Sequence, residues 1–175
     1  MSELANKIYP NLESLGSADR YIDDIVETTD HIKLFENFSS DELNVLCHHM
    51  LCYAAPRDCV LLEEGAAGDF LVLILSGSVN VTKLIFKQGI KVIAEANVGD
   101  ALGELSLIDG RPRFASYCTN TPTDFAVLTR DSLNEILVHH PCLGNKFLLV
   151  LLQLMTVRLR MSYDHFLHND YSGIV

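Results

Sequence analysis

The spacing of apolar residues divides this chain into a β-rich middle and two helical flanks. Between residues 52 and 130 the apolar residues form short runs that are rich in β-branched and aromatic side chains and are separated by glycines. Runs of this kind predict β-strands. We predict strands at 60–62, 70–75, 79–86, 90–94, 114–119 and 125–128. Lys87-Gln88-Gly89 predicts a hairpin turn, and the series as a whole indicates a β-sandwich or jelly roll.

Helical spacing appears on both sides of the β-rich region. Ser39 and Glu42 form a capping-box pattern, and the apolar residues that follow fall on one helical face. After the strands, Ser132 and Glu135 repeat the capping-box pattern, and Pro141 is expected to end or kink that helix. A longer helix is predicted from about residue 143 to residue 166.

The predicted C-terminal helix is apolar on almost every side from residue 147 to residue 155. A helix with that pattern must bury more than one face. One face can pack on the strands, while the other needs a partner or the N-terminal segment. Its longest strongly apolar run without a charge, residues 147–157, is 11 residues long and is too short to cross a bilayer.

The first 30 residues form an acidic leader with seven acidic residues against two basic ones. Tyr21, Ile22, Ile25 and Val26 repeat at helical spacing and predict a short amphipathic helix. This helix is expected to lie on the β-structure, with docking on a partner as the second alternative.

Composition limits the class of protein. The 175 residues are 49% hydrophobic, which indicates one folded domain with helical appendages. Thirteen basic residues against 23 acidic ones give a net charge of −10, which disfavours nucleic acid and anionic membranes as partners. No signal peptide is visible in residues 1–10, and the five cysteines form no C-x-x-C pair. Reduced thiols in a cytoplasmic protein are the simplest interpretation.

The most specific chemistry lies in residues 99–116, GDALGELSLIDGRPRFAS. Gly103 allows the backbone to approach a ligand closely, and the short apolar run after it can form a helical turn whose N–H groups face an anion. Arg113, ten positions after the glycine, supplies a planar cation for a charge-assisted pair. Glu104 would be repelled by a phosphate and is better suited to accept hydrogen bonds from hydroxyls. A ligand with a phosphate and a sugar hydroxyl would use all three residues.

This stretch resembles the phosphate-binding cassette of the cyclic-nucleotide-binding domain family, which includes protein kinase A regulatory subunits, the catabolite activator protein and cyclic-nucleotide-gated channels. The resemblance extends to the glycines and apolar strand of residues 64–79 and covers residues 34–138. It implies a mainly β fold with flanking helices: a cyclic-nucleotide-binding-type β-roll (jelly roll) with an N-terminal helical segment and a long C-terminal helix. The expected domains are an acidic helical extension (1–33), the β-roll (34–140) and a dimerisation or switch helix with its tail (141–175).

The resemblance also implies a ligand site. Its expected residues are Gly103, Glu104, Leu105, Ser106, Arg113, Phe114 and Ala115. Glu104 would accept a hydrogen bond from the ribose 2′-hydroxyl, and Arg113 would pair with the cyclic phosphate. Phe114 departs from the family, which usually has a small residue or threonine there, so its ring is expected either to stack on the purine or to fill the pocket. Because Phe114 lacks the hydroxyl that helps to select cyclic GMP, cyclic AMP is the expected ligand and cyclic GMP the less expected one. Arg111 adds a second cation near the cassette, which leaves a cyclic dinucleotide as a further alternative to its simpler role as a solvated turn residue.

The function expected from these features is non-catalytic sensing of a cyclic nucleotide. No cofactor is expected, and the C-terminal helix is expected to form a homodimer or to act on a protein partner. The alternative is an interaction module that has lost its ligand, in which Glu104 and Arg113 pair with each other. A metal-dependent β-barrel enzyme is disfavoured because all seven histidines lie outside residues 52–130. DNA is not expected as a partner, because relatives that act on DNA carry a helix-turn-helix after the dimer helix and only residues 169–175 follow His168. A membrane is not expected either, because of the net negative charge and the short apolar run.

Overall fold

The computed structural model describes residues 8–21 and 37–171 and shows two antiparallel sheets flanked by helices. The strands are β1 (Glu13–Ser17), β2 (Leu51–Ala55), β3 (Val60–Leu62), β4 (Phe70–Ile74), β5 (Val79–Ile85), β6 (Gly89–Ala96), β7 (Ala101–Leu102), β8 (Ser116–Thr119) and β9 (Thr123–Thr129). One sheet has the order β1-β2-β9-β4-β7 and the other has the order β3-β8-β5-β6. This arrangement confirms the predicted β-roll, and the six predicted strands all form with small changes at their ends.

Helices cover one face of the five-stranded sheet. They are α1 (Ser40–His48), α2 (Glu104–Asp109), α3 (Arg130–His139) and α4 (Pro141–Tyr171), with a 3-10 turn at Ala18–Tyr21. Strand β4 shows how the two cores are divided. Leu71 and Leu73 pack with the helices, whereas Val72 and Ile74 pack inside the roll, because successive side chains of a strand point to opposite faces. Strand β4 is therefore buried on both sides.

The β5–β6 hairpin extends away from both cores. Lys87 and Gly89 adopt positive φ angles of 63° and 75° at its turn, which confirms the turn predicted there. Strand β6 is exposed along nearly its whole length, and Phe86 at the tip is 86% exposed. The hairpin therefore presents apolar residues to solvent within the described part of the chain.

The two capping-box predictions have different outcomes. At α1 the box is confirmed: the Glu42 amide donates to Ser39 Oγ (3.3 Å) and the Ser39 amide donates to Glu42 Oε2 (2.8 Å). At α3 the prediction is wrong, because the N-cap is Thr129, whose Oγ1 accepts from the Ser132 amide. Strand β9 runs directly into this helix, so the last residue of the strand becomes the cap. Pro141 then occupies the first position of α4, where a missing N–H is tolerated.

The prediction of a helical N-terminal extension is wrong for residues 13–17. These residues form β1, which pairs with β2 across an irregularity between Ser14 and Gly16. Pairing with the free edge of β2 therefore determines the structure of residues 13–17, in place of the helix expected for the N-terminal extension. The extension therefore contributes a strand to the β-roll, across the boundary placed at residue 34. The rest of the amphipathic helix predicted at Tyr21–Val26 lies outside the described residues.

Helix α4 has one buried side and one exposed side. Leu143, Phe147, Val150 and Leu151 pack into the helical core. The exposed apolar residues are Leu149, Leu152, Val157, Leu159, Met161, Tyr163 and Leu167. The expectation that this helix is too short to cross a bilayer counted only the uncharged run 147–157 and does not hold for the whole helix. By length and composition alone, the 24-residue segment Pro141–Asp164, with a mean hydropathy of 1.4, would suffice to cross a membrane. The exposed side is thus available to a partner.

Candidate functional site

The candidate site is built around the turn that joins β7 to α2. Gly103 is the N-cap of α2 and has a φ of 75°, a left-handed conformation that favours glycine. Its carbonyl accepts a hydrogen bond from the Leu107 amide (3.2 Å). Helix α2 ends at Gly110, also at positive φ, and the chain then passes through Arg113 into β8. The contiguous sequence therefore folds back so that Arg113 lies against Gly103.

Arg113 is a buried cation with an incomplete set of partners. Its side chain is only 4% exposed, and its Nη1 donates to the Gly103 carbonyl (2.9 Å). Nη2 has no hydrogen-bond partner among the described residues. The guanidinium carbon lies 4.5 Å from the centre of the Phe70 ring. Burial lowers the pKa of Arg113 from its ordinary value, although an arginine remains charged at neutral pH.

Backbone and glycine contacts fix the position of this cation. The Arg113 amide donates to the Ala66 carbonyl (2.8 Å), and the Gly65 amide donates to the Arg113 carbonyl (2.9 Å). A Cβ atom at Gly68 would overlap Nη2, and a Cβ atom at Gly103 would overlap Nη1. The guanidinium thus lies between two glycines that leave just enough room for it. Such a cradle presents the unpaired Nη2 amino group, whose N–H donors suit an anionic oxygen.

Glu104 is buried but already paired. It is 6% exposed, and its Oε1 accepts from Nη1 of Arg158 on α4 (2.5 Å). Nη2 of Arg158 also donates to the Ala101 carbonyl (2.7 Å), so α4 is attached to the cassette at two points. No carboxylate forms an ion pair with Arg113 among the described residues. The hypothesis that Glu104 and Arg113 neutralise each other is therefore wrong.

The structure also places the remaining residues of the predicted site. Ser106 is buried, and its carbonyl accepts from Nη2 of Arg130 (2.7 Å), which fixes the end of α2. Ala115, two positions after Arg113, is fully buried. Leu105 is exposed at the surface of α2. The turn thus brings Gly103, Glu104 and Arg113 together, whereas Leu105 faces solvent.

Phe114 is turned toward the surface. Its side chain is 59% exposed, and Nζ of Lys83 lies 4.0 Å from the centre of its ring. The same Nζ bonds the Phe114 carbonyl and pairs with Glu64 Oε1 (2.8 Å). The exposed Phe114 ring thus lies at the rim of the cradle, meaning its solvent-facing side next to Lys83, and does not pack around the Arg113 guanidinium.

Sequence reasoning missed Arg158, Gly68 and Phe70. Arg158 lies 54 positions from the carboxylate that it binds, and it was visible only as a rare cation in an apolar helix. Gly68 lies in the glycine-rich segment just before β4, and Phe70 is the first residue of β4. Their contacts with Arg113 depend on how the two sheets pack, which a local sequence pattern does not show. In the described part of the chain, no group of three or more His, Cys, Asp or Glu side chains is arranged to hold a metal ion.

Comparisons with known proteins agree with this geometry. The sequence model described as "Cyclic nucleotide-binding domain" matches residues 54–140. A crystal structure of a cyclic nucleotide-binding domain from Methylobacillus flagellatus KT is 54% identical, covers 93% of this chain and 91% of that chain, and superposes with a TM-score of 0.84. The regulatory domain of Toxoplasma gondii protein kinase A, solved with cAMP, is 28% identical with a TM-score of 0.59, over 67% of this chain and 44% of that chain.

The curated relatives are cAMP-dependent protein kinase regulatory subunits, CRP-like transcriptional regulators and a cGMP-dependent protein kinase of Eimeria tenella, and this chain spans only part of their length. The cAMP-dependent protein kinase regulatory subunit of Yarrowia lipolytica is 29% identical, and the match covers 61% of this chain and 28% of the subunit. A CRP-like cAMP-activated global transcriptional regulator of Mycobacterium tuberculosis is 26% identical, over 67% of this chain and 53% of the regulator. Because a transcriptional regulator is among the relatives, the prediction that DNA is not a partner is left without support. The fold, the cassette and these matches together show that the chain belongs to the cyclic nucleotide-binding domain family.

Proposed function

We propose that this domain is a non-catalytic sensor of a cyclic nucleotide, with cyclic AMP as its preferred ligand. The observation that carries the proposal is the buried Arg113, whose Nη2 lacks a partner in a cradle lined by Gly68 and Gly103. Leaving a buried charged donor unsatisfied costs about 1–3 kcal/mol or more. A phosphate oxygen at Nη2 would remove that cost and add a charge-assisted hydrogen bond.

Glu104 is proposed to bind the ribose. Its Oε1 is held by Arg158, while no hydrogen bond to its Oε2 is present among the described residues. A carboxylate oxygen accepts hydrogen bonds and cannot donate them, so it suits the 2′-hydroxyl and repels the phosphate. The two charged residues thus bind different polar parts of one ligand: Arg113 binds the cyclic phosphate, and Glu104 binds the ribose.

The preference for cyclic AMP rests on Phe114. The exposed ring offers a stacking surface for a purine and provides no hydroxyl for the guanine amino group. Its position at the rim supports a ligand-binding domain over the alternative of an interaction module whose pocket is filled. Relatives named for cAMP, including the Toxoplasma domain solved with it, support the same ligand.

The output is proposed to pass through α4. Arg158 joins Glu104 to this helix, so a ligand that binds Glu104 changes the surroundings of the same ion pair. A ligand shifts α4 only if it prefers one arrangement of the helix. The domain would therefore couple nucleotide binding to the position of α4 and has no need of a catalytic group.

The exposed side of α4 is proposed to bind a second copy of the chain. Leu149, Leu152, Leu159 and Tyr163 recur at heptad spacing, with Thr156 between them. This spacing is typical of two helices that pair side by side. The ion pairs Lys146–Glu42 and Arg158–Glu104 tie α4 to the domain, which favours a dimer over insertion of α4 into a membrane. A cytoplasmic location, where thiols stay reduced, remains a prediction.

Isothermal titration tests the ligand. Cyclic AMP, cyclic GMP and a cyclic dinucleotide are each titrated into the wild-type protein, Arg113→Ala and Arg111→Ala. Arg111 is the matched control, because it is a nearby arginine that is 84% exposed. We expect cyclic AMP to bind at micromolar concentration or tighter, to lose binding with Arg113→Ala and to keep it with Arg111→Ala. Absence of binding by all three ligands to folded protein would contradict the proposal and favour the interaction module.

Size-exclusion chromatography with light scattering measures the molar mass in solution and so tests whether the chain forms a dimer. Leu152→Glu places a charge in the exposed stripe of α4, and Phe86→Ser is the control at the other exposed apolar surface. We expect the wild-type protein and Phe86→Ser to be dimers and Leu152→Glu to be a monomer. A wild-type monomer, with and without cyclic AMP, would rule out the proposed dimer.

A further inference from the structure

Tyr9 packs, partly buried, against the core of the β-roll, although it belongs to the segment that precedes β1. Its ring meets three aromatic rings edge-on, with centroid distances of 5.2 Å to Tyr53, 5.3 Å to Phe125 and 5.9 Å to Phe70. Its hydroxyl donates a hydrogen bond to the Leu61 carbonyl (2.7 Å). Burial raises the pKa of this phenol, so the hydroxyl keeps its proton and remains a donor. The N-terminal segment is thus anchored against the core of the roll.

Two of these contacts lead to Arg113. Phe70 contacts Tyr9 and also carries the Arg113 guanidinium over its ring at 4.5 Å. Leu61 lies in β3, and the chain just beyond β3 forms the hydrogen bonds of Gly65 and Ala66 with the Arg113 backbone. Tyr9 therefore touches the ring under the guanidinium and the strand that leads to its backbone partners.

We propose that Tyr9 is a positioning residue for Arg113, which makes the N-terminal segment part of the ligand site. A buried cation whose Nη2 amino group is unpaired gains free energy by moving toward water or another acceptor, so its geometry depends on its surroundings. Removal of the Tyr9 ring would leave a cavity next to Phe70, into which that ring can move. The guanidinium would then lose the surface on which it lies. The effect on affinity rests on the proposed function, whereas the effect on Arg113 does not.

NMR of the arginine side chains in ligand-free protein tests the positioning directly. The Nε–H signal of Arg113, assigned from its disappearance in Arg113→Lys, is compared in the wild type, Tyr9→Ala, Tyr9→Phe and Leu12→Ala. Leu12 is the matched control, since it packs partly buried against the same core from the same segment. We expect Tyr9→Ala to shift or broaden the signal, and Tyr9→Phe and Leu12→Ala to leave it near its wild-type position. If Tyr9→Ala does not fold, Tyr9→Leu replaces it, because leucine fills volume without an aromatic ring.

Titration of cyclic AMP gives the second measurement. We expect Tyr9→Ala to weaken binding by about tenfold, which corresponds to about 1.4 kcal/mol. A Tyr9→Ala signal for Arg113 that matches the wild type would overturn the proposal, as would an equal loss of affinity in Leu12→Ala. If the wild-type protein binds no nucleotide, the proposed function fails and the Arg113 signal alone decides the role of Tyr9.

Discussion

The two charged residues of the cradle are buried to the same degree but are satisfied in different ways. Arg113 is 4% exposed and has one backbone acceptor, an aromatic face and an unpaired Nη2. Glu104 is 6% exposed and has a full ion pair with Arg158. Burial alone therefore does not identify a ligand contact. The unfilled hydrogen-bonding capacity does, and among the described residues it lies at Nη2 of Arg113 and at Oε2 of Glu104.

This difference assigns different tasks to the two ends of the cradle. At the Arg113 end, a phosphate would provide the missing negative charge without displacing a protein group. At the Glu104 end, any hydroxyl must share the carboxylate with Arg158, and therefore with α4. Recognition is expected to depend mainly on Arg113, and transmission to the helix mainly on Glu104 and Arg158.

Arg113→Met should produce the largest effect and should act in opposite directions on binding and stability. We expect cyclic AMP affinity to fall by more than about a hundredfold, because the charge-assisted hydrogen bonds to the phosphate are lost. The ligand-free protein should be as stable as the wild type or more stable, since an apolar side chain of similar length replaces an incompletely paired cation. Titration calorimetry and urea unfolding measure the two quantities. A clear loss of ligand-free stability would show that the incompletely paired Arg113 cation does not destabilise the folded domain.

Gly68→Ala tests the room around the same cation. The added Cβ would overlap Nη2, so the guanidinium must move and cyclic AMP affinity should fall by about tenfold or more. Gly89→Ala is the control, because a Cβ there meets nothing within 4 Å but carries the strain of a φ of 75°, and because Gly89 lies in the β5–β6 turn, where no described contact involves Arg113. Titration of both variants should show weak binding only for Gly68→Ala. Equal losses of cyclic AMP affinity in the two variants would show that the effect does not depend on the space around the Arg113 guanidinium, and would contradict a fitted cradle.

Arg158→Met tests the Glu104 end of the cradle. It leaves Glu104 buried without its cation, and we expect a loss of about 1–3 kcal/mol in the free energy of unfolding. Adding Glu104→Gln to this variant should restore part of the loss, because the uncompensated charge is then removed. Urea unfolding of the two single variants and the double variant gives the coupling energy. A coupling near zero would mean that the pair does not hold α4 to the cassette.

The smallest effect is expected at the ion pair between Lys146 and Glu42, which ties α4 to α1 away from the cradle. The hydrogen bond from Lys146 lowers the pKa of Glu42 below its ordinary value of 4.5. The stabilisation is therefore complete above the unfolded-state pKa and is lost as the pH falls through the lower folded-state value. We expect Glu42→Gln to lower stability by about 1 kcal/mol or less at pH 7. Thermal unfolding should show this difference shrinking as the pH falls below 4.5, with cyclic AMP affinity at pH 7 unchanged.

Much of the fold and part of the site could be predicted because their determinants are local. The turn at Lys87 and Gly89, the Ser39 cap and the cassette from Gly103 to Arg113 are short sequence patterns whose geometry follows from neighbouring residues. Strand β1 could not be predicted from such patterns, since it forms only against the free edge of β2.

The partners of the cradle charges were beyond sequence patterns for the same reason. The Arg158–Glu104 pair joins residues 54 positions apart, and the Tyr9 hydroxyl reaches a carbonyl 52 positions away. Local spacing places Glu104 and Arg113 in one loop, but it does not determine which of them is neutralised by another element. That distinction is set by how α4 packs across the cassette.

A crystal structure of the domain with cyclic AMP tests the central claim most directly. We expect a phosphate oxygen within hydrogen-bond distance of Arg113 Nη2 and the ribose 2′-hydroxyl at Glu104. We also expect the Phe70 ring to remain under the guanidinium. A nucleotide bound away from Arg113, or an Arg113 Nη2 that still lacks a partner in the complex, would contradict the claim.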